Sequence, residues 1–376
     1  MVDQAQPACT QNASAGVRGL SPYEPGKPVS ALEREYGLSD IIKLASNESP
    51  LGPSPVALDA ARTALADLAL YPDGNGYELK QALAARHDVA PEQIVLGNGS
   101  NDVLDLTARV FLGRGRNAVF SQHGFAVYML VTRAVDAEAR EVPALAMDDA
   151  MPCGHDLEAM AGQVDDDTGV IFIANPNNPT GTWVESRPLR TMLDSIPETT
   201  LVVLDEAYAE YVQSPDYPDG TRWLDEYPNL LVTRTFSKAW GLAGLRVGYG
   251  LCHPAVADLL NRVRQPFNVN SVAQAAALAA LEDPGHLARA VSLNSEGLAE
   301  LGRGFDHLGL KWLPSVANFI SVQVPDAPVV YEALLRAGII VRPVEAYGLP
   351  GFLRVSVGLP EHNRRLLKTL EKVLEA

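Results

Sequence analysis

Three short runs in the middle of the chain, residues 170–174, 201–204 and 230–233, are nearly continuous in Val, Ile, Leu and Phe. A strand with one wet face alternates apolar and polar residues, so an unbroken apolar run reads as a strand covered on both faces. Runs at 118–121 and 247–250 extend the series, and helical patterns at 157–161 and 187–196 fall between some of them. Strands separated by helices connect by right-handed crossovers, which predicts an α/β fold built on a mostly parallel sheet.

The chain has 376 residues, more than one domain usually holds. The sheet pattern fits a large domain over 70–280. Helical composition from 271 to about 309, with a break at Pro284-Gly285, leads into strands expected at 319–324, 339–342 and 352–357. Helices at 329–337 and 361–374 complete an α+β pattern, which predicts a smaller C-terminal domain over 281–376. Residues 19–69, with a helix expected at 55–70, form an N-terminal segment assigned to that smaller domain, and residues 1–18 read as a flexible tail. Further helices are expected at 78–86 and 103–111, the second entered from a strand at 93–96 through Gly97-Asn98-Gly99-Ser100-Asn101-Asp102.

A formal net charge of −16 repels polyphosphate backbones and argues against a nucleic-acid partner. Residues 1–19 lack a signal-peptide pattern, and the sequence contains no apolar stretch long enough to span a bilayer, so a cytoplasmic protein without a membrane partner is expected. Three dispersed cysteines predict free thiols, and the seven scattered histidines match no metal spacing. No metal is expected.

Ligands of open parallel sheets gather at the carboxyl ends of strands, where polar residues interrupt this chain's apolar runs. Asn175-Pro176-Asn177-Asn178-Pro179-Thr180-Gly181 follows one run, Asp205-Glu206-Ala207-Tyr208 a second, and Thr235-Phe236-Ser237-Lys238 a third. Taken singly these have plain readings: a surface lysine, a helix-capping aspartate and an Asn-Pro turn. Partial desolvation at a strand edge would make the Lys238 amine nucleophilic toward a carbonyl, and Asp205 could hold a nearby ring nitrogen protonated. Gly99-Ser100-Asn101, between strand and helix, could bind phosphate through free N–H groups or simply reverse the chain.

Together with Gly244-Leu245-Arg246-Val247-Gly248, these motifs resemble fold-type I aminotransferases dependent on pyridoxal 5′-phosphate (PLP), and more narrowly the histidinol-phosphate aminotransferase family. The resemblance runs from about Arg18 to Leu374. It implies that Lys238 forms the Schiff base with PLP and shuttles the proton between substrate Cα and cofactor C4′. By the same resemblance Asp205 pairs with the pyridine nitrogen, while Asn178 and Tyr208 hold the phenolic oxygen. Gly99, Ser100, Asn101, Thr235, Ser237 and Arg246 surround the phosphate, and Phe125 stacks on the ring. Tyr71 reaches the phosphate in the neighbouring subunit, which implies a homodimer.

On the substrate side the resemblance implies Tyr23, Asn47, Arg342 and Arg354, the arginines serving as anion receptors. Two departures from the family pattern stand out. Glu48-Ser49-Pro50 replaces a version ending in Asn-Pro, and Trp240 stands two residues past the lysine, where its ring is expected to reshape a wall near the cofactor. The implied reaction converts L-histidinol phosphate and 2-oxoglutarate to 3-(imidazol-4-yl)-2-oxopropyl phosphate and L-glutamate, reversibly. Rival readings are an aromatic amino-acid aminotransferase, a PLP decarboxylase acting on a phosphorylated amino acid, and a non-catalytic binding or regulatory protein of the same fold.

Overall fold

The structure is a computed structural model that describes residues 7–22 and 26–375. In chain order its strands are β1 (Ile42–Lys43), β2 (Ile94–Gly97), β3 (Asn117–Ser121), β4 (Glu138–Val142), β5 (Thr168–Ala174) and β6 (Leu201–Asp205). They continue with β7 (Leu230–Thr235), β8 (Gly248–Cys252), β9 (Phe319–Gln323), β10 (Ile339–Ile340), β11 (Arg342–Pro343) and β12 (Phe352–Ser356).

Seven of these make one sheet in the order β2-β8-β7-β6-β5-β3-β4. Pairing is parallel from β7 to β4, and β8 is antiparallel to both of its neighbours, so it alone runs against the rest. Alternate residues of the central strands enter two different cores: Ile171, Ile173, Val202 and Leu204 face one, while Val170, Phe172, Leu201 and Val203 face the other. Burial on both faces is what the unbroken apolar runs required.

The reversed strand β8 brings three carboxyl-edge elements together. Gly97 and Thr235 are both register partners of Gly248, while Asp205 is paired with Ala174 on one side and Thr233 on the other. Residues distant in sequence thus end in one row along the same sheet edge.

The C-terminal part forms a three-stranded antiparallel sheet, β11-β12-β9. The N-terminal segment joins it, since β1 pairs in parallel with β10 and Ile42 and Leu44 enter a core with Leu301, Phe305, Ile320 and Leu353. The strand expected over 339–342 is two strands: Ile339–Ile340 pairs with β1 and Arg342–Pro343 with β12, with the change of partner at Val341. β4 escapes a pattern-based reading because it is an edge strand of sequence EAREV, half exposed and carrying charge.

The expected helix over 55–70 stops as an α-helix at Ala64, followed by a short 3₁₀ turn, Leu65–Asp67. Its remaining leucines, Leu65, Leu68 and Leu70, lie on the surface. Near the amino terminus the short helix Ala15–Arg18 docks through the Gly16 N–H on Asp136. Among the described residues no helix is long and apolar enough to cross a membrane.

Candidate active site

A cavity of about 260 Å³ opens where the carboxyl edge of the large sheet meets the β11-β12 hairpin and the N-terminal segment. Strand alternation decides which side chains reach it. On β6 and the residue after it, Asp205 shares the face of Leu201 and Val203, and Glu206 takes the opposite one.

Asp205 is buried, and both of its oxygens accept hydrogen bonds: Oδ1 from the Thr233 hydroxyl and Oδ2 from the Tyr128 hydroxyl, each at 2.9 Å. Burial raises its pKa above the usual carboxylate range, and the Tyr128 and Thr233 bonds and the nearby Lys238 act against that rise. Behind it, Glu206 meets Arg234 at 2.5 and 2.9 Å and accepts the Gly220 N–H at 2.8 Å, while Arg234 also reaches Asp219 at 2.9 Å. That charged cluster lies on the far face of the sheet and does not line the cavity.

Lys238 lies just beyond β7, with Nζ 3.4 Å from the Ser46 carbonyl and 5.3 Å from the centre of the Tyr208 ring. The Tyr208 hydroxyl receives the Asn47 amide at 2.9 Å. Arg246, in a left-handed conformation, donates to the Ser237 hydroxyl and the Asn98 carbonyl. Gly99 packs against its guanidinium and adopts φ +79°, a backbone conformation that favours glycine. The helix Ser100–Phe111 begins beside it and presents unsatisfied N–H groups. With the Thr235 and Ser237 hydroxyls, this corner has the donors and positive potential that suit a phosphate.

Phe125 caps the helix Ala126–Ala134 and turns its ring to the cavity. Arg354, buried on β12, donates from Nη1 to Asn178 Oδ1 and from Nη2 to the Ala45 carbonyl at 2.7 Å. Arg342 is its direct cross-strand partner, so both guanidiniums leave the same face. Like charges so placed repel, and an anion between them relieves that cost.

Of the residues singled out from sequence, Asn47, Ser100, Asn101, Phe125, Asn178, Asp205, Tyr208, Thr235, Ser237, Lys238, Arg246, Arg342 and Arg354 line this one cavity, with Gly99 against Arg246. Tyr71 does not: it is 82 % exposed and stacks on Phe267 at 4.7 Å. Tyr23 lies outside the described residues.

Trp240 corrects an expectation. It is buried away from the cavity, its indole N–H 3.4 Å from Glu210 and its ring under the Arg86 guanidinium, because it sits in a turn closed by the Gly241 N–H on the Lys238 carbonyl and packs into the core beside Phe236. The Glu48-Ser49-Pro50 departure begins at an exposed residue, with Glu48 salt-bridged to Lys43 at 2.8 Å. Sequence reasoning missed Tyr128 and Thr233, which hold Asp205, and the cavity-lining Ser46 and Pro176.

Residues 39–370 match the aminotransferase class I and II family. The chain is 59% identical over 365 residues to histidinol-phosphate aminotransferase 2 of Pseudomonas aeruginosa, covering 96% of this chain and 97% of the relative. Identity is 58% with histidinol-phosphate aminotransferase 2 of Pseudomonas fluorescens, at the same coverage. The crystal structure of histidinol-phosphate aminotransferase from Sinorhizobium meliloti in complex with pyridoxal-5′-phosphate superposes with a TM-score of 0.86 at 31% identity, covering 96% of this chain and 97% of that one.

Proposed function

The chain belongs to the histidinol-phosphate aminotransferase family of the class I and II aminotransferases, and on that premise we propose how its residues divide the work. It is a PLP-dependent aminotransferase of histidine biosynthesis. L-Glutamate gives up the amino group and leaves as 2-oxoglutarate; 3-(imidazol-4-yl)-2-oxopropyl phosphate receives it and leaves as L-histidinol phosphate.

When bound, PLP supplies an aldehyde for amines and a protonated ring that draws electrons from the substrate α-carbon. Lys238 Nζ tethers the cofactor and, once released, takes the proton from the substrate α-carbon and holds it on nitrogen before returning it. Asp205 keeps the ring nitrogen protonated, and Asn178 and Tyr208 donate to the phenolic oxygen. Gly99, Ser100, Asn101, Thr235, Ser237 and Arg246 hold the phosphate, while Phe125 covers the ring.

Arg354 and Arg342 receive the substrate's anionic end, a carboxylate in one half-reaction and a phosphate in the other, with Asn47 lining the same cavity and Tyr23 assigned to the substrate by the family resemblance alone. The observation that carries this reading is the convergence of Lys238, Asp205, the Arg246 corner and two facing arginines on one cavity. Donor chemistry there suits PLP, since the Arg246 guanidinium, the Thr235 and Ser237 hydroxyls and the N-terminus of the helix Ser100–Phe111 meet in one corner that can receive a phosphate.

The working unit we propose is a homodimer, with Tyr71 reaching the neighbouring site. Supporting it, Tyr71 and Phe267 stack on each other while both remain exposed, and Leu65, Leu68 and Leu70, close before Tyr71 in the chain, are exposed as well. A cytoplasmic setting accords with cysteines that are all free.

The deciding experiment is a single-turnover panel started from the pyridoxamine form of the enzyme. Imidazole-acetol phosphate should restore the original spectrum faster than phenylpyruvate or 4-hydroxyphenylpyruvate. A faster return with phenylpyruvate would make the protein an aromatic aminotransferase. Purified protein with neither visible absorbance nor any response to glutamate would point to a non-catalytic role.

A further inference from the structure

We propose that Tyr128 is a positioning residue for the transamination, orienting the Asp205 carboxylate and sustaining its charge through one hydroxyl hydrogen bond. The inference rests on the reading of Asp205 as partner of the cofactor's ring nitrogen.

Tyr128 is 1% exposed, deep in the sheet–helix core, and its hydroxyl lies 2.9 Å from Asp205 Oδ2. A tyrosine so placed needs a partner for its O–H, and the partner here is a residue assigned to the chemistry. Its ring is fixed on several sides. It stacks on Phe172 at 4.8 Å with planes 4° apart, and Phe120 and Phe125 pack around it at 6.2 and 6.0 Å. Thr233 donates to Oδ1 from the adjacent strand, so the two carboxylate oxygens are held by donors on different elements. Rotation of the carboxylate is blocked, and lone pairs remain for a donor in the cavity.

The clamp also acts on charge. Burial favours the neutral acid, and a neutral Asp205 could not stabilise a protonated ring nitrogen. The groups facing Asp205 are Tyr128 from its helix, Thr233 from β7, Lys238 from the loop after β7 and the Ala207 N–H, and each favours the anion. Tyr128 stays a donor because burial pushes its own pKa well above the usual tyrosine value. One rigid helix therefore carries both Phe125, whose ring meets the cavity, and Tyr128, one turn on, which sets the carboxylate.

The test compares holoenzymes. Tyr128→Phe keeps the ring and its stacking and deletes the hydroxyl; Phe172→Leu disturbs the stacking and leaves the hydroxyl. Three readouts are followed: PLP dissociation, pH titration of the cofactor's visible absorbance, and kcat separated from the glutamate KM. Tyr128→Phe should weaken PLP binding and lower kcat, each on the order of 10-fold or more, as loss of a hydrogen bond to a charged group implies. KM should hold, and the acid limb of the titration should move to higher pH. Phe172→Leu should not move the titration.

An unchanged titration and kcat in Tyr128→Phe would overturn the proposal, as would the same titration shift in Phe172→Leu, which would assign the effect to packing. Asp205→Ala separates the two levels of inference. If it retains normal absorbance and activity, the underlying reading of Asp205 fails; if it is defective while Tyr128→Phe is normal, only the role of Tyr128 fails.

Discussion

The Asn47 side-chain amide donates to the Tyr208 hydroxyl across 2.9 Å, tying the N-terminal segment to the loop that follows β6. Asn47 adopts a left-handed backbone, its N–H donates to Ser356 Oγ, and its Oδ1 accepts from the same hydroxyl. Its carbonyl accepts from Asn318. Besides lining the cavity, this one buried residue aligns a tyrosine assigned to the cofactor with β12, the strand that carries Arg354.

Replacing Asn47 with Ala leaves buried hydroxyls on Tyr208 and Ser356 short of partners. The expected cost is about 1–3 kcal/mol in unfolding free energy, measured by urea denaturation. PLP should still bind, but with a larger dissociation constant by equilibrium dialysis. A variant as stable as the parent would show that Asn47 contributes only a cavity surface.

Arg354→Lys keeps the charge and removes the planar fork that reaches Asn178 and the Ala45 carbonyl together. Glutamate KM should rise by about 10- to 100-fold, the scale of losing charge-assisted hydrogen bonds. The borohydride-stabilised cofactor adduct should form as in the parent. Unaltered steady-state kinetics would remove Arg354 from substrate binding.

The buried pair between Glu206 and Arg234 lies behind the site, outside the cavity. Arg234→Met strands a buried carboxylate, which should cost about 3–5 kcal/mol in chemical denaturation. A loss below about 1 kcal/mol, the range of exposed pairs, would show that the cluster is dispensable.

His87 is buried against Tyr249 at 2.8 Å, and its pKa is lowered from 6.5 to about 3 by burial first and then by Arg234 and Arg86. Below pH 6.5 the unfolded chain binds a proton that the folded chain refuses, so this residue's share of stability is lost as pH falls toward 3. Between pH 7 and 5 that share amounts to about 2 kcal/mol. In His87→Gln, unfolding free energy should therefore fall less over this interval than in the parent. Parallel pH profiles would contradict a neutral, buried His87.

Much of the large sheet could be read from sequence because β5, β6 and β7 are buried on both faces and each contains an unbroken apolar run, Val170–Ala174, Leu201–Leu204 and Leu230–Val232. The same property exposed Asp205, Asn178 and Lys238 as polar residues at the close of apolar runs. Tyr128 and Thr233 stayed hidden because each sits inside an element where its residue type is ordinary; only the one-turn spacing from Phe125 marked Tyr128. Proximity in sequence misled at Trp240, because the turn that the Gly241 N–H closes on the Lys238 carbonyl carries its ring into the core beside Phe236. The charge of β4 concealed an edge strand, which needs no apolar run.

Transamination at this site requires Lys238 to hold the cofactor. Borohydride reduction of the PLP-loaded protein, followed by proteolysis and mass spectrometry, reads that directly. The pyridoxyl mass should fall on the peptide containing Lys238 and disappear in Lys238→Ala, while Arg354→Ala retains it. A label on another lysine, or a normal adduct in Lys238→Ala, would contradict the assignment.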